Sequence, residues 1–255
     1  MSLMNPDKNN KQLGINEFYD INKFPRTKGI AVLGISMPLI HSKQSSKKCF
    51  ETEEYLIEKI TKSCVGAVFS YSDGLYMNSC EPAYLLKRKF ENLMEQHKQA
   101  FIRLVSKNVY IIPSAYSFTT WSQMILNCEN FTAFFKKIKE IYSKDKLFQK
   151  YVELDIKSAG KEINEQTVNY ILEEILLDYL VAKMKVRLQN DYIQDKEEWV
   201  LNYYHGKPHR SHVYIHQKNL LNLKTKNIYE NSWYDALNKK LYEFDRLDID
   251  TFNFQ

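Results

Sequence analysis

Short apolar runs alternate with longer stretches of helical periodicity along the first half of the chain. The first run, Lys28-Gly29-Ile30-Ala31-Val32-Leu33-Gly34-Ile35-Ser36, ends in a lone hydroxyl. A run of that length, bounded by Gly and Pro, predicts a buried strand of a parallel sheet. A second, Val65-Gly66-Ala67-Val68-Phe69, ends at Tyr71-Ser72-Asp73-Gly74, and a third, Val109-Tyr110-Ile111-Ile112, stops at Pro113. Between the first two, Phe50 to Ser63 places Tyr55, Leu56 and Ile60, with Cys64 just beyond, near helical spacing. From about Pro82 to Lys107, Leu86, Phe90, Leu93, His97, Phe101 and Leu104 fall on one stripe of a long helix. Strands alternating with helices predict an α/β fold with a mostly parallel sheet.

The middle of the chain reads as helical over Trp121 to Tyr142 and Asp145 to Ser158. Asn164 is a suitable N-cap for a further helix from Glu165 to about Gln189. Beyond Trp199, β-type segments are predicted at Val200 to Tyr204, His212 to His216 and Lys240 to Phe244, after a charge-rich connection from Gln189 to Glu198. Residues 1–27 form a polar N-terminal extension, and 28–255 read as a single α/β domain, long enough to bury a core.

The formal net charge of +5 permits a polyanionic partner without requiring one. The four cysteines show no Cys-x-x-Cys spacing, so free thiols are expected rather than a disulfide framework. Met1 to Lys11 is polar, lysine-rich and without an apolar core, so no signal peptide is expected. No run approaches the roughly 18 apolar residues of a membrane span, and the expectation is a soluble cytoplasmic protein without a membrane partner. The sequence has no Gly-x-Gly-x-x-Gly, no Gly-Lys-Ser/Thr and no Gly-x-Ser-x-Gly, which removes the usual signatures of dinucleotide binding, ATP binding and an α/β-hydrolase elbow.

Four features invite a chemical reading. Ser36 follows a predicted strand, and open α/β sheets bind ligands beyond the carboxyl ends of their strands; it is either the start of a loop or a nucleophile. Tyr170 and Glu174, four residues apart, share a helix face beside Ile171 and Ile175. A carboxylate there is costly to bury unless it meets a cation, and a substrate ammonium suits both side chains. The helix after Pro82 carries Lys87, Arg88, Lys89 and Lys98 around its apolar stripe, as solubilising charge or as contacts to a phosphate backbone. His205, His209, His212 and His216, with Tyr204 and Tyr214 interleaved, match no metal-binding spacing, and no metal is expected.

Together these residues resemble the tRNA-dependent cyclodipeptide synthases. The family's strand ending in Gly-[Leu/Val/Ile]-Ser reads here Gly34-Ile35-Ser36, and its Tyr-[Leu/Val/Ile]-x-x-Glu-x-Pro motif reads Tyr170 to Glu174 with Leu176 at the proline position. Leu39 stands three residues after Ser36, where one subfamily has Asn, so the chain looks closer to the other subfamily. The resemblance spans roughly residues 28–244. It implies a Rossmann-like fold similar to the catalytic domain of class I tyrosyl- and tryptophanyl-tRNA synthetases, without ATP chemistry or any cofactor. The implied partners are two aminoacyl-tRNAs used in sequence, joined as a cyclic dipeptide through aminoacyl- and dipeptidyl-Ser36 intermediates. Ser36, Tyr170, Glu174 and a later tyrosine would be catalytic. Tyr214 is the expected choice for that tyrosine and Tyr204 its rival. Val32, Gly34, Phe69 and Leu177 would line a first pocket for an apolar or aromatic residue, and Lys87, Arg88, Lys89 and Lys98 would grip a tRNA acceptor stem. Two alternatives remain open: a non-catalytic aminoacyl-tRNA binding module, and an acyltransferase using thioester donors.

Overall fold

The computed structural model describes residues 29–52, 64–73, 83–107, 115–188 and 199–254. The first apolar run forms β1 (Gly29–Ile35) and the second β2 (Cys64–Tyr71), followed by α1 (Ala83–Lys107) and β3 (Ala115–Thr120). Helices α2 (Trp121–Leu126), α3 (Phe131–Lys144), α4 (Lys146–Ser158) and α5 (Glu165–Ala182) come next. The chain then gives β4 (Trp199–Tyr204), α6 (Arg210–Gln217), β5 (Ser232–Asp235) and β6 (Lys240–Glu243). The strands make one six-stranded sheet in the order β3-β2-β1-β4-β5-β6. Every pairing is parallel except β5 with β6. The fold is therefore the mostly parallel α/β arrangement that the alternating pattern predicts.

The strand order runs outward in opposite directions from β1, first through β2 and β3, then through β4. Chain connections leave the sheet on opposite sides of such a point, and a crevice opens at the carboxyl ends of the strands there. Ser36 is the first residue beyond β1 and stands at this crevice. Side chains alternate across the sheet. Ile30, Val32, Val68 and Val200 join a core with the helices α2 to α6, while Ala31, Leu33, Phe69 and Tyr203 join the core on the α1 side. At Gly29 a Cβ would lie 1.9 Å from the ring of buried Trp199, so only glycine lets β4's tryptophan cross the start of β1.

Local signals account for several boundaries. The Asn164 side chain accepts from Thr167 N at 2.9 Å while Thr167 Oγ1 accepts from Asn164 N at 3.1 Å, a reciprocal cap that starts α5. The helix stops at Ala182, short of the expected Gln189, because Met184 adopts φ +56° and the amides of Lys185 and Met184 fold back onto Leu180 O and Val181 O. This termination usually announces itself with glycine; here methionine occupies the position and hides the stop. The continuous helix expected over Trp121 to Tyr142 is interrupted: α2 ends at Leu126 with Asn127 as its C-cap, and Asn130, at φ +63°, is the N-cap from which α3 starts.

One segment changes its type altogether. His212 to His216 is not a strand: it lies in α6, whose residues Ser211 to His216 are all buried, so no exposed face gives the helix a legible period. What starts α6 is distant in sequence. The buried Asp155 carboxylate of α4 accepts from Arg210 N at 3.1 Å, from Ser211 N at 2.8 Å and from Ser211 Oγ at 2.7 Å. The short β5 was not anticipated at all. The strand expected at Val109 to Ile112, most of the helix expected over Phe50 to Ser63, the Gln189 to Glu198 connection and the extension before Gly29 lie outside the described residues. Among the described residues, no helix is long and apolar enough to cross a membrane, and Cys49 and Cys128 are buried thiols outside any disulfide.

Asp155→Ala removes the acceptor of two amides and a buried hydroxyl at the head of α6, and is expected to cost about 2–4 kcal/mol. Urea unfolding checks this; a loss below about 1 kcal/mol would show that α6 holds without its distant cap.

Candidate active site

At the carboxyl ends of β1 and β4, a cavity of about 160 Å³ opens on the face covered by α2 and α5. β1 contributes Val32 and Gly34, with Ser36 at its exit; β2 contributes Ser70; β4 contributes Asn202 and Tyr204. Parity and register explain this set. Val32 is paired with Val68 and with Asn202, Gly34 with Ser70, and all of these side-chain positions face the same way. Gly34 lets Tyr204 approach β1 closely: a Cβ there would meet Tyr204 Cδ2 at 3.3 Å, and the ring would have to shift slightly to admit it. Helix α5 closes the cavity with Tyr170, Glu174, Leu177 and Asp178, and Trp121 at the start of α2 stacks on Tyr170 with ring centres 5.7 Å apart.

Ser36 sits between β1 and a single 3-10 turn, Met37–Leu39, whose Leu39 amide donates to Ser36 O at 2.9 Å. The Ser36 amide donates to Gln44 Oε1 at 2.7 Å, and Gln44 Nε2 donates to Gly34 O at 2.7 Å. On the other side of β1, Ile35 O accepts from the amide and hydroxyl of Ser72 at 2.9 and 3.2 Å. The main chain that carries the hydroxyl is thus held on both sides.

The pocket is acidic. Burial raises the Glu174 carboxyl from the usual 4.5 to about 7; His209 opposes the shift, and the Asp178 and Asp155 carboxylates add to it. His209 Nε2 lies 3.9 Å from Glu174 Oε1. One turn further along α5, Asp178 Oδ2 is 3.1 Å from His212 Nε2, near in space but poorly aligned for a hydrogen bond. Burial, then the Glu174 charge, also pushes the phenols of Tyr170 and Tyr204 well above their ordinary range, while a side-chain hydrogen bond with Ser36 works the other way on Tyr204. Both phenols therefore stay protonated and act as donors or relays, not as bases. Lys207, on the rim, donates its Nζ to Asn253 O at 2.7 Å and lies over the Phe252 ring. Two carboxylates beside a hydroxyl suit a ligand that carries an ammonium next to an electrophilic carbon.

Of the residues singled out from the sequence, Ser36, Tyr170, Glu174, Val32, Gly34 and Leu177 meet in this cavity. Phe69 does not. It stands one residue out of phase with Val68 and Ser70, on the other sheet face, packed against Phe101 and Phe118 at 4.6 and 5.2 Å. Tyr214 does not either: it lies on α6, donates its hydroxyl to Asp145 Oδ2 at 3.0 Å and stacks on Phe148. Of the two, the rival Tyr204 lines the pocket. Lys87, Arg88 and Lys89 are exposed on α1, Lys87 being 4.0 Å from Glu91, and Lys98 lies 3.7 Å from Glu95 and over the Phe118 ring. None of the four lines the cavity.

The histidines are dispersed. Burial lowers His205 to about 4, with its ring 3.2 Å from Thr52 Oγ1, and lowers His216 to about 3 between Tyr179 and Phe244. Among the described residues, no three His, Cys, Asp or Glu side chains are grouped to hold a metal ion. The sequence reading missed Asp178, although it repeats the four-residue spacing of Tyr170 and Glu174. It also missed Asn202, two residues before Tyr204 on the same strand face. Gln44 carried no signal, and His209 stood out only as one of the four clustered histidines, not as a neighbour of Glu174.

No protein-family model and no curated protein matches the sequence. Among solved structures, the chain is similar to a CDPS from Staphylococcus haemolyticus, at 15% identity and a TM-score of 0.53, over 92% of this chain and 95% of that one. A cyclodipeptide synthase from Bacillus thermoamylovorans aligns at 15% identity and a TM-score of 0.50, over 86% of this chain and 88% of its own. At such identities the likeness establishes the fold.

The raised Glu174 pKa has a consequence for stability. The folded state holds this proton more tightly than the unfolded chain, so the stabilising contribution is full below about pH 4.5 and is lost as pH rises through about 7. Glu174→Gln, neutral throughout, is expected to match wild-type stability near pH 4 and to exceed it near pH 8.5 by at most roughly 3 kcal/mol, read as a higher Tm at the upper pH only. A Tm difference that is the same at both pH values would contradict a buried carboxyl.

Proposed function

We propose that the chain is a tRNA-dependent cyclodipeptide synthase. One observation carries the reading: a serine hydroxyl beyond the central strand lines the same acidic pocket as Tyr170, Glu174 and Tyr204. The fold shared with the two bacterial enzymes and the two motifs at Ser36 and Tyr170 to Glu174 support it.

In this reading the α-ammonium of an aminoacyl-tRNA docks on the Glu174 carboxylate and the Tyr170 hydroxyl, which turns the ester carbonyl toward Ser36. Ser36 Oγ forms a bond to that carbon, the bond to the ribose oxygen breaks, and the serine proton passes to the departing ribose oxygen, with the Tyr204 phenol as relay. Ester is exchanged for ester, so no ATP is consumed. Placement supplies much of the barrier reduction, roughly 7–11 kcal/mol for a well-oriented pair. The amine of a second aminoacyl-tRNA then attacks the acyl-serine, giving an amide and a free Ser36 hydroxyl. The dipeptidyl group stays esterified to the second tRNA or returns to Ser36 by the same exchange. In the serine-bound form, its terminal amine attacks the remaining ester carbonyl, the bond from that carbon to Ser36 Oγ breaks, the amine proton returns to Ser36, and a six-membered diketopiperazine is released.

The first side chain would lie along Val32, Gly34 and Leu177, with Ser70 and Met124 taking the place the sequence reading gave to Phe69. Lys87, Arg88, Lys89 and Lys98 would contact tRNA phosphates from α1, with affinity that falls as salt rises.

Expression in bacteria followed by mass spectrometry of the medium tests the reading. Cyclic dipeptides are expected with wild type and absent with Ser36→Ala. Tyr204→Phe is expected to lower product at least about a hundredfold, in the range of lost proton-transfer catalysis, and Tyr214→Phe by less than about threefold. Bound aminoacyl-tRNA without any label on Ser36 would instead identify a binding module.

A further inference from the structure

Gln44 is fully buried, yet its side chain spends both ends of its amide on the main chain around Ser36. The direction of those bonds is informative. Ile35 O faces β2, where it accepts from Ser72 N, so Gly34 O and Ser36 N, one residue to either side, face β4. The pairing of β1 with β4 ends at Leu33 with Tyr203, and Tyr204 turns to β5, where its carbonyl accepts from Ala236 N. In a parallel ladder one residue donates its N–H to a carbonyl of the neighbouring strand and accepts from the N–H two residues further on. The Gln44 side chain does both, donating to Gly34 O and accepting from Ser36 N at 2.7 Å each. It supplies the next rung of the ladder after β4 has left.

Gln44 is itself held. Its amide donates to Leu39 O at 3.0 Å, and its carbonyl accepts from His97 Nε2 at 2.9 Å and from Cys49 Sγ at 3.4 Å. The other ring nitrogen of His97 meets the Tyr71 hydroxyl of β2 at 2.9 Å. Both α1 and β2 thus anchor the rung.

We propose that Gln44 is the positioning residue of Ser36: it extends the β1 ladder by one side-chain rung, so that the serine leaves the sheet at a set height and angle to Tyr204 and Glu174. The inference rests on the proposed nucleophilic role of Ser36. It also assigns the Ser36 amide to Gln44, so an oxyanion formed on the acyl carbon draws its donors from other groups.

The test pairs kinetics with amide exchange. Gln44→Met keeps the side-chain length and removes both bonds; Gln44→Asn, one methylene shorter, is the second variant if the first does not fold. With circular dichroism unchanged, KM for aminoacyl-tRNA is expected to stay within about threefold while kcat falls by at least about thirtyfold, as for a misplaced reacting group. Hydrogen exchange at the Ser36 amide is expected to quicken at least about tenfold. Wild-type kcat in a folded variant, or lost kcat with unchanged exchange, overturns the positioning role. If wild type itself makes no product, the functional reading fails, and exchange alone decides whether Gln44 holds Ser36: unchanged exchange overturns it.

Discussion

A central strand buried on both faces has to find a partner for every peptide group, including those past its last neighbour-strand bond. In this protein that constraint acts at the exit of β1. The strand is covered by helices α2 to α6 on one side and by α1 on the other, and its two neighbours end at different heights. Ser72 satisfies the chain toward β2 and Gln44 satisfies it toward β4. The next residue is Ser36. The satisfaction of main-chain polar groups and the presentation of a hydroxyl are therefore the same piece of structure, and the turn at Met37–Leu39 continues it.

The acidity of the pocket has a different origin. Helix α5 is a core helix, with Ile171, Leu172, Ile175 and Leu176 buried. Glu174 and Asp178 sit on the same rod where the strip between α5 and the carboxyl ends of β1 and β4 is left open as a cavity. Carboxylates in such a place cost stability while ionised, which is why Glu174 titrates near neutrality. An ammonium ligand would relieve that cost. His209 and His212 stand beside the two acids, placed by α6, and α6 in turn depends on the Asp155 carboxylate of α4. A capping carboxylate one helix earlier in the chain than either acid is thus part of how the pocket is built.

Much of this was legible beforehand. The strands β1, β2 and β4, the long helix α1 and the Asn164 cap all follow from apolar runs, helical stripes and side-chain chemistry within a few residues. The same holds for Ser36, Tyr170, Glu174, Val32, Gly34 and Leu177, because strand-end position, four-residue spacing and two-residue alternation each depend on one element at a time. Phe69 was lost to parity: its run was recognised, but the face it uses is set by registration against β1. Tyr214 and Tyr204 could not be separated, since α6 is buried all round and resembles a strand as readily as a helix.

The sequence by itself determined the class of fold, the hydroxyl at the end of its central strand, and the tyrosine and carboxylate that share a helix face, since periodicity and capping are local. Only the tertiary structure decided which tyrosine joins them, which face of β2 looks into the pocket, and that Gln44 completes the ladder beside Ser36. Those depend on where strands stop relative to one another and on contacts between residues far apart in the chain. The chain's local pattern carries no information about either.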